Sequence, residues 1–241
     1  MFINKQKTIK SRKGFSFAEL IISIVIVAVV AKIAVPPLLN NIQQSEYNSQ
    51  LQSIYLTLSD ALDTISQQTN GNVPIGPLDG TTGSTFRNSF CNIMSCVKTG
   101  SISTIWQGIN YSYYKGPNTT GWTAASVYTS GDAAAVLNNG TFLWFYNYGY
   151  CSPSNTLNAG SNINACGFIN VDINGASGPN MLGEDAYGFW IAKNTTSADY
   201  SLIPMGNGQD GYSCTAPGTT TWATNGPGCT YSRLSNPNTM P

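Results

Sequence analysis

From Phe15 to Leu39 the chain runs through 25 residues that are nearly all Ile, Val, Leu, Ala or Phe, interrupted by Glu19, Lys32, two serines and Pro36-Pro37. A helix needs about 20 predominantly apolar residues to cross the hydrocarbon core of a bilayer, so this run predicts a membrane-spanning helix. Proline removes a helical hydrogen bond and crowds the preceding turn, which predicts a kink or local unwinding at Pro36-Pro37. Beyond it the pattern changes. Leu51, Ile54, Tyr55, Leu58, Leu62 and Ile65 recur at helical spacing with Gln52, Ser59, Asp60 and Asp63 between them, the signature of one apolar face. Asn70-Gly71 supplies a stop, because glycine tolerates the left-handed conformation that ends a helix. If the 54 residues from Phe15 to Gln68 form one helix, it is roughly 80 Å long at about 1.5 Å per residue. Its first half is then expected to insert into apolar surroundings and its second to pack against a sheet.

The pattern after Gly71 is short and alternating. Pro74, Gly76-Pro77 and Asp79-Gly80 make a turn-rich connection, and strand candidates follow at 109–114, 124–128, 141–148, 167–173 and 186–192. Phe142 to Tyr146 reads as a buried strand. These features predict an α+β fold, a long N-terminal helix on an antiparallel sheet. The segment from Pro204 to Pro241 reads as a disulfide-tied surface loop followed by a loose end.

Composition sharpens the picture. The 241 residues carry eleven basic groups, eleven acidic groups and no histidine. Five of the basic residues precede Phe15, leaving six against eleven acids in the remainder. A zero or slightly negative balance argues against a scaffold that binds nucleic acid by net charge. Without histidine, Ser-His-Asp and Cys-His catalysis are excluded, and no phosphate-cradling glycine loop follows a strand, so an enzyme is not expected. Only 9% of residues are charged, while Gly, Asn, Ser and Thr abound, as in an extracellular, loop-rich β domain. The six cysteines all follow the apolar run and form three local pairs, Cys91 with Cys96, Cys151 with Cys166 and Cys214 with Cys229. That even count predicts disulfides with this pairing among the 15 connectivities six cysteines allow. A zinc site would lack both histidine and Cys-x-x-Cys spacing.

The basic segment Lys10-Ser11-Arg12-Lys13 before the apolar run predicts a cytoplasmic N-terminus. An ordinary signal peptide, cleaved after Ala31 or Ala34, is the competing reading. Against it stands Glu19, since an acid in mid-bilayer costs roughly 2.5–3.5 kcal/mol and a mere export signal has no use for one. Gly14 separates the basic cluster from Phe15, where a protease at the membrane face can take the backbone extended. The stretch Lys13-Gly14-Phe15-Ser16-Phe17-Ala18-Glu19-Leu20-Ile21-Ile22 resembles the processing site of type IV prepilins and type II secretion pseudopilins, although Ser16 and Phe17 stand where Thr-Leu is commonest and Lys32 falls late in the apolar run. The resemblance implies a pilin-like fold in which residues 1–14 are a leader, 15–39 the transmembrane or fibre-core half of the helix, 40–70 its amphipathic half and 71–241 the head. It implies cleavage after Gly14 by a prepilin peptidase, N-methylation of Phe15, and use of Glu19 to meet a subunit's N-terminal amine. The implied partners are other pilin or pseudopilin subunits and an inner-membrane assembly platform. The implied location is the bacterial inner membrane, single-pass with the head exported, and then a fibre in the periplasm or at the cell surface. A secreted or membrane-tethered binding protein that never polymerises is the alternative.

Residues 171–189 resemble a Gly-Pro-Asn motif found between strands in many pilin-like sequences, here Gly178-Pro179-Asn180. Asn174-Gly175 and Gly178-Pro179 predict tight turns whose polar side chains satisfy the loop's own backbone. The other reading, prompted by pseudopilins that bind calcium in this region, is a Ca²⁺ site made by Asp172, Asn174 and Asp185 with main-chain carbonyls, without the spacing of an EF-hand.

Overall fold

The computed structural model describes residues 14, 16–74, 83–105, 109, 111–113, 124–125, 133–151, 157, 162–208, 210–214 and 226–235. They form two compact units, divided between Gln44 and Ser45, and helix α1 (Phe17–Gln68) contributes to both. Ser16 caps the helix: its Oγ accepts the Glu19 N–H at 3.3 Å while the Glu19 carboxylate accepts the Ser16 N–H at 2.8 Å, the reciprocal arrangement of a capping box. The far end closes as its sequence predicts. Asn70 and Gly71 take φ of 52° and 77°, and their N–H groups return to the carbonyls of Gln67 and Ser66. Of the kink or local unwinding expected at Pro36-Pro37, the unwinding is not present, and helix continues through both prolines. The lost N–H bonds fall within one turn, with long helical stretches on either side.

In the second unit the Ser45–Gln68 part of α1 buries the predicted stripe. Leu51, Ile54, Leu58, Leu62 and Ile65 are at most 5% exposed, and they share one core with Leu143, Phe145, Ile169, Val171, Phe189 and Ile191 of the sheet. Tyr55 stacks on Phe189 at 5.7 Å between ring centroids. Helix α2 (Ser84–Met94), which the strand-focused sequence reading does not anticipate, adds Phe86 and Phe90 to the same core.

Among the described residues nine strands make one sheet: β1 (Lys98–Gly100), β2 (Tyr111–Tyr113), β3 (Ala124–Ala125), β4 (Ala134–Val136), β5 (Phe142–Asn147), β6 (Ile163–Asp172), β7 (Met181–Leu182), β8 (Ala186–Asn194) and β9 (Tyr200–Pro204). The order is β1-β4-β5-β6-β8-β7-β2-β3, with β9 also paired to β8. Its centre, β4 to β6 to β8 to β9, is antiparallel, but the sheet is mixed, which corrects the all-antiparallel expectation: β7 runs parallel to both β2 and β8. Two-residue β7 is a piece of the β6–β8 connection laid against the sheet, and side-chain alternation carries no signal for the direction of so short a bridge.

The sheet is covered on both faces. Opposite α1, Trp144, Leu182 and Ala186 pack with Tyr111 and with Ile102 and Ile105 of the short helix α3 (Ile102–Ile105). The chain's last described part packs beside Gly188 of β8, with Leu234 against the core shared with α1, correcting its reading as a surface loop. A 3₁₀ turn (Pro227–Cys229) and helix α4 (Thr230–Ser235) bury Pro227, Cys229, Thr230 and Arg233. Gly188 makes room for them, since a Cβ there would lie 2.7 Å from the Pro227 side chain and 2.9 Å from Asn170 Oδ1. All three predicted disulfides are formed, Cys91–Cys96, Cys151–Cys166 and Cys214–Cys229.

Leu58→Ala is expected to lower the unfolding free energy of the second unit by about 2–5 kcal/mol, whereas Leu56→Ala, at a position 59% exposed, is expected to change it by less than about 0.5 kcal/mol. Urea unfolding of the full chain in detergent measures both.

Candidate functional site

Two places carry chemistry beyond packing. The first is the start of α1. Glu19 is the one acid in its first turn, folded back onto Ser16, and its carbonyl accepts the Ser23 hydroxyl at 2.7 Å. Residues 17–36 have a mean hydropathy of 2.6 and none is buried, which suits a membrane span or a signal sequence. Phe17, Ile24, Val27 and Ile33 are each at least 60% exposed, and a contiguous apolar surface on that scale marks a membrane or protein contact. Phe15 and the basic residues before Gly14 lie outside the described residues. Gly14 is described, and a Cβ there would meet nothing within 4 Å, so packing does not account for the glycine.

The second place is the 173–185 connection between β6 and β8. Asp172 ends β6 and Asp185 precedes β8, and both are fully buried. Asp172 Oδ1 accepts the Asn174 N–H at 3.2 Å and its Oδ2 accepts the Tyr111 hydroxyl. Asp185 Oδ1 accepts the Met181 N–H at 2.5 Å and its Oδ2 accepts the Asn180 N–H at 2.8 Å. Asn174 donates its amide to the Gly178 carbonyl at 3.1 Å and to the Tyr47 hydroxyl of α1 at 3.3 Å. Gly175, at φ 62°, is required by both its backbone and its surroundings, because a Cβ would strike the Gly140 carbonyl and the Phe142 ring. The Gly178-Pro179 bond is cis. The predicted turns are therefore present, and the three residues named for calcium do converge.

Burial dominates the electrostatics here. It raises Asp172 to about 8, helped by the charge of Asp185 and opposed by the Tyr111 hydroxyl and the N–H groups of Asn174 and Gly175. Burial likewise raises Asp185 to about 6 against the pull of the Met181 and Asn180 N–H groups. Glu184 is raised by burial and lowered by Arg233, whose Nε donates to the Gly183 carbonyl at 3.3 Å. Tyr47, Tyr111 and Arg233 escape sequence reasoning because each reaches the loop from an element distant in the chain. Only the run of Asn, Gly, Pro and Asp signalled that the loop was built.

No protein-family model, curated protein sequence or solved structure matches the chain.

Because the folded state raises both aspartates, it binds their protons more tightly than the unfolded chain does. The stabilisation is present below the unfolded carboxylate range near pH 4 and is lost as pH rises through about 6 and then about 8. The urea midpoint is thus expected to fall between pH 5 and pH 8.5, and Asp172→Asn should flatten the upper part of that profile.

Proposed function

We propose that the chain is a structural subunit, a pilin or pseudopilin, of a type IV pilus or type II secretion pseudopilus rather than a catalyst. In this reading a prepilin peptidase removes the basic leader after Gly14 and Phe15 becomes the methylated N-terminus. The α1 segment up to Leu39 holds the protein in the bacterial inner membrane with the second unit exported. The assembly platform then withdraws that segment into a helical fibre of like subunits, in the periplasm or at the cell surface, through head-to-tail contacts that do not close.

The observation that carries the reading is an apolar helix with no buried residue over positions 17–36 and a carboxylate in its first turn. Such a surface is stable in lipid or against other apolar helices and in neither case tolerates a lone charge cheaply. The capping box supports it further, because it holds Glu19 toward the chain's own N-terminal end, where cleavage before Phe15 creates an ammonium. Ammonium and carboxylate are each costly among apolar helices and favourable when paired. Gly14 fits too, open on all sides and preceded by basic residues.

Mass spectrometry of the product from cells with an active prepilin peptidase is expected to find N-methyl-Phe15 at the N-terminus. A start at Lys32 or Val35 would instead establish the secreted, non-polymerising alternative. Glu19→Ala is expected to leave insertion and cleavage intact and to lower recovery of the protein in sheared fibres by about tenfold or more, the equivalent of about 1.4 kcal/mol in the assembly equilibrium.

A further inference from the structure

The resemblance to calcium-binding pseudopilins makes Asp172, Asn174 and Asp185 natural ligands for a cation, and the geometry disagrees. Calcium takes six to eight oxygen ligands, each turning a lone pair toward the ion. Here both oxygens of Asp172 and both of Asp185 already face hydrogens, from Asn174 and Tyr111 on one carboxylate and from Met181 and Asn180 on the other. Asn174 turns its NH₂ to Gly178 and Tyr47, leaving its Oδ1 as one neutral oxygen without a partner. Glu184 feels the charge of Arg233. Among the described residues no group of three or more His, Cys, Asp or Glu is placed to hold a metal.

We infer that the 173–185 loop is locked without metal, by a hydrogen-bonded hub in which Asp172 and Asp185 do the organising that a cation does in calcium-binding loops, and that this hub fixes Tyr47 of α1 to the sheet. Asp185 gathers donors from within the loop, and Asp172 adds one from a distant strand. Asp185 folds the Asn180-Met181 backbone over itself, and Asp172 joins β6 to β2 through Tyr111. Asn174 is the output of the hub. Its N–H is held by Asp172, and its amide reaches Tyr47, which sits in the turn where α1 becomes buried. The loop thus sets where along the sheet the helix docks, and that setting is independent of dissolved cations.

Thermal melting of the full chain in detergent, with millimolar calcium and with EGTA, tests the inference. The two midpoints are expected to coincide. Tyr111→Phe, which removes one donor from Asp172, should lower both by about 2–4 °C, and Tyr47→Phe should speed hydrogen exchange around Asn174 equally in both buffers. A saturable rise of the midpoint with calcium that Asp185→Asn abolishes would overturn the inference. Should Asp185→Asn fail to fold, equilibrium dialysis of calcium against the unmodified protein decides instead, since one bound ion per chain also overturns it. None of these readouts depends on fibre assembly, so failure here is distinct from failure of the proposed function.

Discussion

The docking of the Ser45–Gln68 part of α1 onto the sheet, through Leu51, Leu58 and Leu62 on one side and Leu143, Phe145 and Phe189 on the other, is the contact from which the other features follow. It consumes the apolar face of that stretch and leaves Gln52, Asp60 and Asp63 to solvent. Toward the N-terminus the same helix has no polar face to offer water. Residues 17–36 are apolar around the whole circumference, as expected of a helix meant for nonpolar surroundings. One element therefore demands two solvents, and the change falls close to where the chain divides into its two compact units.

Charge is handled oppositely in the two places that carry it. At the start of α1 the Glu19 carboxylate is exposed and, among the described residues, bonded within its own first turn. In the 173–185 loop two aspartates are buried, and each of their side-chain oxygens accepts a hydrogen bond, from the Tyr111 hydroxyl or from the backbone N–H of Asn174, Asn180 or Met181. The first arrangement suits an interaction that forms and exchanges, the second a joint that stays fixed.

Much of this was legible in the sequence. The helix, its apolar stripe and its Asn70-Gly71 stop are local signals repeated over many turns, and the three long strands β5, β6 and β8 carry enough Val, Ile, Phe and Trp to be located, if not bounded. What was missed shares a cause. Helix α2 carries Phe86, Phe90, Ile93 and Met94 at helical spacing, but within 11 residues this is a short signal, and β7 has two residues in all. Burial of Pro227 beside β8 depends on Gly188 leaving a space, which no pattern within the last forty residues encodes. For the loop, the turns were readable from Asn-Gly and Gly-Pro. The ownership of the carboxylates was not, because Tyr111 lies 61 positions from Asp172.

The cysteine bridges nest with nothing: residues 91–96, 151–166 and 214–229 close one after another, and no bridge begins before the previous one ends. In the proposed reading the chain leaves the membrane from the C-terminal end of α1 onward into an oxidising space, and each cysteine then meets its mate within 15 positions. Oxidation can then keep pace with emergence, and no thiol has to wait unprotected for a distant part of the chain to arrive. The covalent framework of the second unit is in this sense laid down in chain order.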